Sequence, residues 1–266
     1  MGKSLRLILL VFLGLLGACG GSTNYNSASG GGGSNSAIVQ GTWSGTLDIT
    51  GSSSSSSVIY AAIEQGGQAF FYDQDGVIYV LPQFTGDTTL TGTVIAYAPA
   101  GSTFGSSGTN QETFSVTASV STDSITGSFT GNGVTGNFSL TPFTSFNANP
   151  GIVAGNWQGF YVGSGSAALA LTVQAGGAFV GTDSNGCNLN GNITQVVSGG
   201  TTAQAPAPLF DVSVDSTGSN CLGQLTGLAF ESDSDASGLF GGTTGTYYYV
   251  GVSNASGAFI AELKVQ

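Results

Sequence analysis

Acidic side chains are the groups of this 266-residue chain whose spacing comes nearest to a metal-binding site. The segment from Asp233 to Gly238, DSDASG, has the alternating oxygen ligands of the first half of a calcium-binding loop. The twelfth position of such a loop normally supplies a bidentate glutamate, and here it is Thr244. The segment Asp73-Gln-Asp-Gly76 lies between two apolar runs, where Asp-Gly is a strong hairpin signal. We therefore predict turns at both places, and no metal site.

Composition argues against several kinds of chemistry. The chain has no histidine, which excludes histidine-based triads and histidine-ligated metals. Its 14 Asp and Glu outnumber 3 Lys and Arg, and two of the cations, Lys3 and Arg6, lie in a segment that we expect to be removed. Lys264 alone could not neutralise a phosphate backbone. No local pattern singles out the two carboxylates of a glycosidase. We predict a non-enzymatic protein with no cofactor and no nucleic-acid partner.

The N-terminus has the features of an export signal. Lys3 and Arg6 precede a short apolar run, which small residues follow. Leu16-Gly-Ala-Cys19 resembles the lipobox of bacterial lipoproteins. The resemblance implies a diacylglyceryl group on Cys19, removal of the signal peptide 1–18 and acylation of the new N-terminus. The alternative is an ordinary signal peptide that happens to contain a cysteine.

The residues after Cys19 predict where the anchored protein resides and how it is tethered. Gly20 follows the cysteine in place of aspartate, and by resemblance to the enterobacterial sorting pattern this favours the outer membrane over the inner one. Residues 19–40 are rich in Gly and Ser, a composition typical of a flexible linker. The predicted partner of this region is therefore the membrane, through the lipid.

From Gly41 onward, apolar and polar residues alternate. Trp43, Leu47 and Ile49 share one parity, and Phe114, Val116 and Ala118 repeat the pattern. A period of two indicates strands with one buried face. Turn residues recur every 8–12 positions or so, which is typical of an all-β barrel or sandwich of antiparallel strands.

The alternating region contains an internal repeat. The segment Gly41–Gly45, GTWSG, matches Gly155–Gly159, GNWQG, and these hold the only two tryptophans. Gly-Gly and Asp-rich motifs follow in the same order in both copies. Phe114-Ser-Val then matches Phe210-Asp-Val, and Phe129-Thr-Gly matches Leu225-Thr-Gly. We predict one β-domain at 41–142, a linker at 143–154 and a second β-domain at 155–266.

Cys187 and Cys221 remain after lipidation of Cys19. In the repeat alignment they correspond to Val77 and Ile125, so we predict a contact made by apolar packing in the first copy and by a disulfide in the second. A redox-active pair is the alternative, but it would normally need a Cys-x-x-Cys motif or a nearby cation. An exported protein favours the structural disulfide.

The Gly-x-Trp that opens each copy resembles the first strand of lipocalins and avidins, in which a tryptophan lies at the closed end of an up-and-down barrel. The resemblance implies two tandem barrels of this kind, and a β-sandwich is the alternative. A ligand cavity in such a barrel would be lined by Trp43 or Trp157.

Two aromatic runs, Phe70–Tyr72 and Tyr247–Tyr249, put rings on both faces of a strand. One parity of each run belongs to a core. The other parity either contacts a ligand or packs between the copies. We therefore take Trp43, Trp157, Tyr247 and Tyr249 as candidate ligand-binding residues. The predicted function is an outer-membrane lipoprotein that binds a small ligand, a glycan or a protein, and the alternative is a structural or surface-display lipoprotein without a small ligand.

Overall fold

The computed structural model describes residues 40–50, 56–64, 67–86, 88–105, 107–121, 123–143, 151–196, 209–234 and 244–266. Cys19, the predicted signal peptide and residues 19–39 of the predicted linker lie outside these residues. The described residues form sixteen strands, all of them antiparallel to their neighbours. No helix among these residues is long and apolar enough to cross a bilayer.

The strands form two closed eight-stranded barrels in tandem. The first barrel consists of β1 (Gly41–Ile49), β2 (Ser57–Ile63), β3 (Ala69–Asp73), β4 (Ile78–Leu81), β5 (Thr89–Tyr97), β6 (Gln111–Val120), β7 (Ile125–Gly131) and β8 (Val134–Pro142). The second consists of β9 (Gly155–Gly163), β10 (Ala167–Val173), β11 (Ala178–Asp183), β12 (Asn188–Gln195), β13 (Leu209–Thr217), β14 (Gly223–Ser234), β15 (Thr244–Asn254) and β16 (Gly257–Val265).

Each barrel has the simplest possible topology. Every strand pairs with the strands next to it in the chain, and the last strand of each barrel closes on the first. This confirms the prediction of two repeated up-and-down barrels and excludes the sandwich alternative. Closure also leaves neither barrel with an unpaired strand edge.

The register of the ladders establishes the repeat in atomic detail. Trp43 lies opposite Ala61 on one side and Pro142 on the other, and Trp157 lies opposite Leu171 and Val265. The two tryptophans therefore occupy the same place at the start of the first strand of each barrel. The predicted correspondence between them is confirmed.

The turn between the third and fourth strands is also the same in both copies. Asp73 Oδ1 accepts a hydrogen bond of 2.9 Å from the backbone N–H of Val77, and Asp183 Oδ1 accepts one of 2.9 Å from that of Cys187. The glycine before each of these residues has a φ of 85° or 86°, which glycine adopts without strain. The Asp-rich motifs are therefore turns built around a buried carboxylate.

The later part of the repeat alignment was wrong. Phe114 lies in β6, the sixth strand of its barrel, whereas Phe210 lies in β13, the fifth strand of the other. Phe129 and Leu225 are likewise one strand out of step, in β7 and β14. Short alternating segments rich in Thr and Gly resemble one another whichever strand they form. A three-residue match therefore does not show that two segments belong to equivalent strands.

The same shift overturns the predicted contact between Val77 and Ile125. Val77 lies in the turn between β3 and β4, and Ile125 begins β7 after the turn between β6 and β7. In an up-and-down barrel these two turns are at opposite ends. Cys187 and Cys221 lie in turns at the same end, between β11 and β12 and between β13 and β14.

The predicted disulfide is present. Cys187 and Cys221 are bonded, with their Cα atoms 5.7 Å apart and a sequence separation of 34 residues. The bond joins two neighbouring turns at one end of the second barrel. The corresponding turns of the first barrel are joined by no disulfide, because cysteine is absent from that part of the sequence.

Replacing both Cys187 and Cys221 by alanine should lower the free energy of unfolding of the second barrel by about 3–4 kcal/mol, as expected for a loop of this length in the chain-entropy model. Urea denaturation would measure the change in a Trp43→Phe background, where Trp157 is the only tryptophan. Reduction of the unsubstituted protein should give the same loss, which serves as the control. An unchanged denaturation midpoint would contradict the prediction.

Three apolar clusters stabilise the described structure. One fills each barrel, and the third lies between the barrels. The third cluster includes Phe70, Ile78 and Val80 from the outer face of the first barrel and Leu228 and Ala258 from the outer face of the second. The barrels therefore meet mainly through strands β2 to β4 on one side and β14 to β16 on the other.

Residues at matching positions show that this contact is specific to one face of each barrel. Ladder register places Val180, 52% exposed, where the first barrel has the buried Phe70. It places the exposed Ser119 and Thr126 of the first barrel where the second has Phe230 and Tyr249. The same fold thus carries large rings where the barrels meet and smaller or more polar side chains where they do not.

Candidate functional site

The barrel interiors contain little free space. The first holds a space of about 40 Å³ between side chains that include Phe71, Phe114 and Phe138, and the second holds one of about 60 Å³ around Phe179 and Phe259; both are partly open to solvent. Typical small-molecule sites measure roughly 300–1,000 Å³. Bulky apolar side chains from all around each barrel fill it, so neither interior resembles a lipocalin-type cavity.

The two tryptophans are core residues. Trp43 is 4% exposed and Trp157 is fully buried, and neither lines either barrel cavity. The Trp157 ring stacks on Tyr248 with centroids 4.1 Å apart, and its Nε1 donates a hydrogen bond of 2.9 Å to the carbonyl of Val153. Trp157 thus fastens the segment before β9 to the end of the barrel.

The two tyrosines that we predicted as ligand contacts have different environments. Tyr247 is fully buried, and Lys264 Nζ lies 5.4 Å from the centre of its ring. The hydroxyl of Tyr249 donates a hydrogen bond of 3.0 Å to Glu262 Oε1. Of the four predicted ligand residues, Tyr249 alone lines the opening described below, and the structure does not bring the four together.

That opening is a groove between the barrels, which we call the inter-barrel groove. It has a volume of about 60 Å³ and is partly open to solvent. Its walls come from the outer faces of both barrels and from the residue after β8: Tyr60, Ala61, Ala62, Phe70, Tyr72, Phe143, Val162, Leu228, Phe230, Tyr249, Gly251, Ile260 and Glu262.

Four of the rings form a continuous series across the groove. Phe143 makes edge-to-face contacts with Tyr60 of the first barrel and Phe230 of the second, at centroid distances of 5.9 and 6.3 Å. Phe230 stacks on Tyr249 at 5.1 Å. Such ring pairs favour a defined relative orientation. The series holds the walls of the groove in place from both barrels.

The groove wall carries one carboxylate among its described residues, that of Glu262, which is 2% exposed. Burial raises the pKa of the neighbouring Tyr72, and the negative charges of Asp73 and Glu262 raise it further. Tyr72 therefore keeps its proton at physiological pH. The walls offer hydroxyl groups and a single acid, but not the two carboxylates that glycoside hydrolysis requires.

Two other buried carboxylates lie at the barrel ends and have structural roles. Asp73 Oδ2 accepts a hydrogen bond of 2.7 Å from the hydroxyl of Tyr79, and Asp183 Oδ2 accepts one of 3.2 Å from that of Tyr161. Burial raises the pKa of Asp73 despite the opposing effect of its hydrogen bonds. The tyrosines come from different strands, β4 and β9. The two copies therefore provide a hydrogen bond to the equivalent carboxylate from different places in the barrel.

Comparison of the chain with protein-family models, with curated proteins and with solved structures finds no match. The site must therefore be interpreted from its own chemistry. Within the described ranges, no cluster of three or more Cys, Asp or Glu could hold a metal ion.

Sequence reasoning singled out Tyr249 in the groove wall and the run from Phe70 to Tyr72, and proposed packing between the copies as one role for such rings. It missed Phe143, Phe230 and Glu262. For Glu262 a signal was available, because an acid stands within the otherwise apolar run Ala258–Leu263, AFIAEL. Phe143 and Phe230 could not be assigned to a groove without the relative placement of the barrels.

Proposed function

We propose that this protein is a lipoprotein of the bacterial outer membrane, anchored through Cys19, and that it acts as a non-enzymatic binding module for a small ligand held in the inter-barrel groove. The lipobox-like segment ending at Cys19 supports the anchor. The proposal for the groove depends on one observation: both barrels place aromatic rings on the faces that line it.

The comparison with the barrel interiors gives this observation its weight. The groove is similar in size to the spaces inside the barrels, but its wall carries polar groups, whereas the spaces inside the barrels are lined by apolar surface. Ligand sites are typically concave and mostly apolar, with a few polar groups that fix orientation. Tyr72, Tyr249 and Glu262 supply such groups here.

A structural or surface-display lipoprotein is the second candidate. It is favoured by the filled barrel interiors and by the Ser-, Thr- and Asn-rich outer faces away from the groove. On this alternative, the groove rings only hold the barrels together, and nothing but the protein is recovered from the envelope.

Native mass spectrometry of the full-length protein taken from its own envelope distinguishes the binding module from the structural role. We expect a bound species of defined mass that is absent from a Phe230→Ala variant, because that change removes the ring shared by two contacts in the groove. A Phe160→Ala variant is the matched control, since Phe160 is 47% exposed and is not part of the groove wall.

Two results would count against the binding module. One is recovery of the protein with no small molecule attached, which would favour the structural role. The other is equal retention of the bound species by the Phe230→Ala and Phe160→Ala variants, which would place the ligand elsewhere on the protein.

A further inference from the structure

Glu262 is an exceptional residue in its place on the barrel. Ladder register puts Ser139 of the first barrel at the matching position of the eighth strand, and Ser139 is exposed to solvent. In the second barrel, a carboxylate is buried there against the aromatic wall of the groove.

The surroundings of this carboxylate supply hydrogen bonding and aromatic faces. Tyr249 donates to Oε1 at 3.0 Å, and Tyr60, Phe70, Tyr72, Phe143 and Phe230 complete the aromatic wall. The faces of aromatic rings carry partial negative charge and attract cations, most strongly where water is excluded. Rings and a carboxylate in one groove wall make an environment that favours a weakly hydrated positive charge.

We propose that the ligand of the inter-barrel groove is a small soluble organic cation with a quaternary or N-methylated ammonium group. This inference rests on the proposed binding function of the groove. The methyl groups contact the rings, and the positive charge lies close to the Glu262 carboxylate. An inorganic cation would instead keep its water shell, for which this largely apolar wall offers few partners.

The charge of the protein agrees with such a ligand. The chain has 14 acidic against 3 basic residues, so its overall field attracts cations and repels anions. The field raises the encounter rate, and the rings and Glu262 provide the selectivity.

The test compares choline with its uncharged carbon isostere, in which carbon replaces the ammonium nitrogen. The full-length protein is placed in vesicles of a neutral glycolipid, which carry neither a choline head group nor a net charge, and binding is followed by saturation-transfer NMR. We expect choline to bind about tenfold or more tightly than the isostere, because only choline gains the cation–π and charge interactions.

A Glu262→Gln variant should lose most of this preference and should still bind the isostere, because the shape of the groove is kept. Glu231→Gln is the matched control, since Glu231 is a buried carboxylate on a nearby strand that is not part of the groove wall. This control should retain the preference for choline.

Equal binding of choline and the isostere by the unsubstituted protein would overturn the cation inference and leave the binding function standing. Failure of both probes to bind would also overturn the inference, whereas recovery of a ligand from the envelope tests the binding function separately. An undiminished preference in Glu262→Gln would remove the carboxylate from the proposed site.

Discussion

Alanine in place of Gly159 should destabilise the second barrel by about 3 kcal/mol or more, at the upper end of what overpacking a core costs. A Cβ atom at this position would overlap the carbonyl oxygen of Glu262 on the closing strand and lie 2.8 Å from its carbonyl carbon. Gly45 faces Ser139 in the same way in the first barrel. At these two glycines, the closing strands therefore approach each other so closely that no side chain fits.

The matched control is Gly176→Ala, in the turn between β10 and β11. A Cβ atom there meets nothing within 4 Å, and the residue is exposed. Its stability should stay within about 1 kcal/mol of the unsubstituted protein. Denaturation monitored by Trp157 fluorescence in a Trp43→Phe background distinguishes the two variants, and a Gly159→Ala midpoint close to that of Gly176→Ala would refute the close-approach argument.

Substitution of Cys19 by serine should move the protein from the membrane fraction to the soluble fraction. Serine has no thiol to receive the diacylglyceryl group, and several acyl chains are needed for stable anchoring. Immunoblotting of fractionated cells measures the change. Cys19 lies outside the described residues, so the prediction depends on the sequence alone.

The double variant Cys187→Ala, Cys221→Ala is the control for Cys19, because it removes cysteines that we assign to the fold. It should remain with the membranes. If Cys19→Ser sediments with the membranes as the unsubstituted protein does, the lipoprotein assignment fails, while the barrels and the disulfide are unaffected.

The barrels could be predicted because the alternation of buried and exposed residues is visible within each strand. A closed barrel needs one buried face per strand, and this requirement appears in the sequence as a period of two, as at Phe114, Val116 and Ala118. The opening Gly-x-Trp motif then located the start of each copy. Barrel and sandwich strands share the same alternation, so only the pairing of β1 with β8 and of β9 with β16 could separate them.

The disulfide was predicted correctly from a partly wrong alignment. Two cysteines in a chain predicted to be exported are expected to pair for reasons of redox chemistry, whatever their counterparts in the other copy. The assignment of Ile125 to the Cys221 position failed because loop lengths differ between the copies. A match of three residues carries no information about how many strands precede it.

The groove was beyond sequence reasoning because it belongs to neither barrel alone. Alternation indicated that Tyr249 lies on the outer face of its strand. What that outer face contacts depends on which face of one barrel meets which face of the other. The roles of Trp43 and Trp157 were missed for a related reason. Their environment depends on how completely the other strands fill the interior, and here Phe179 and its neighbours leave only about 60 Å³ of free space.

The two barrels meet through unlike faces, the second to fourth strands of one against the sixth to eighth strands of the other. A head-to-tail contact of this kind could in principle be extended into a filament. The remaining outer faces do not favour the addition of a third barrel. Polar residues such as Asn190 and Thr126 lie there, at positions where contact with a further barrel would require apolar side chains. Within the described residues, duplication of the fold has therefore produced one inter-barrel groove, and the proposed binding function predicts one ligand per protein rather than two.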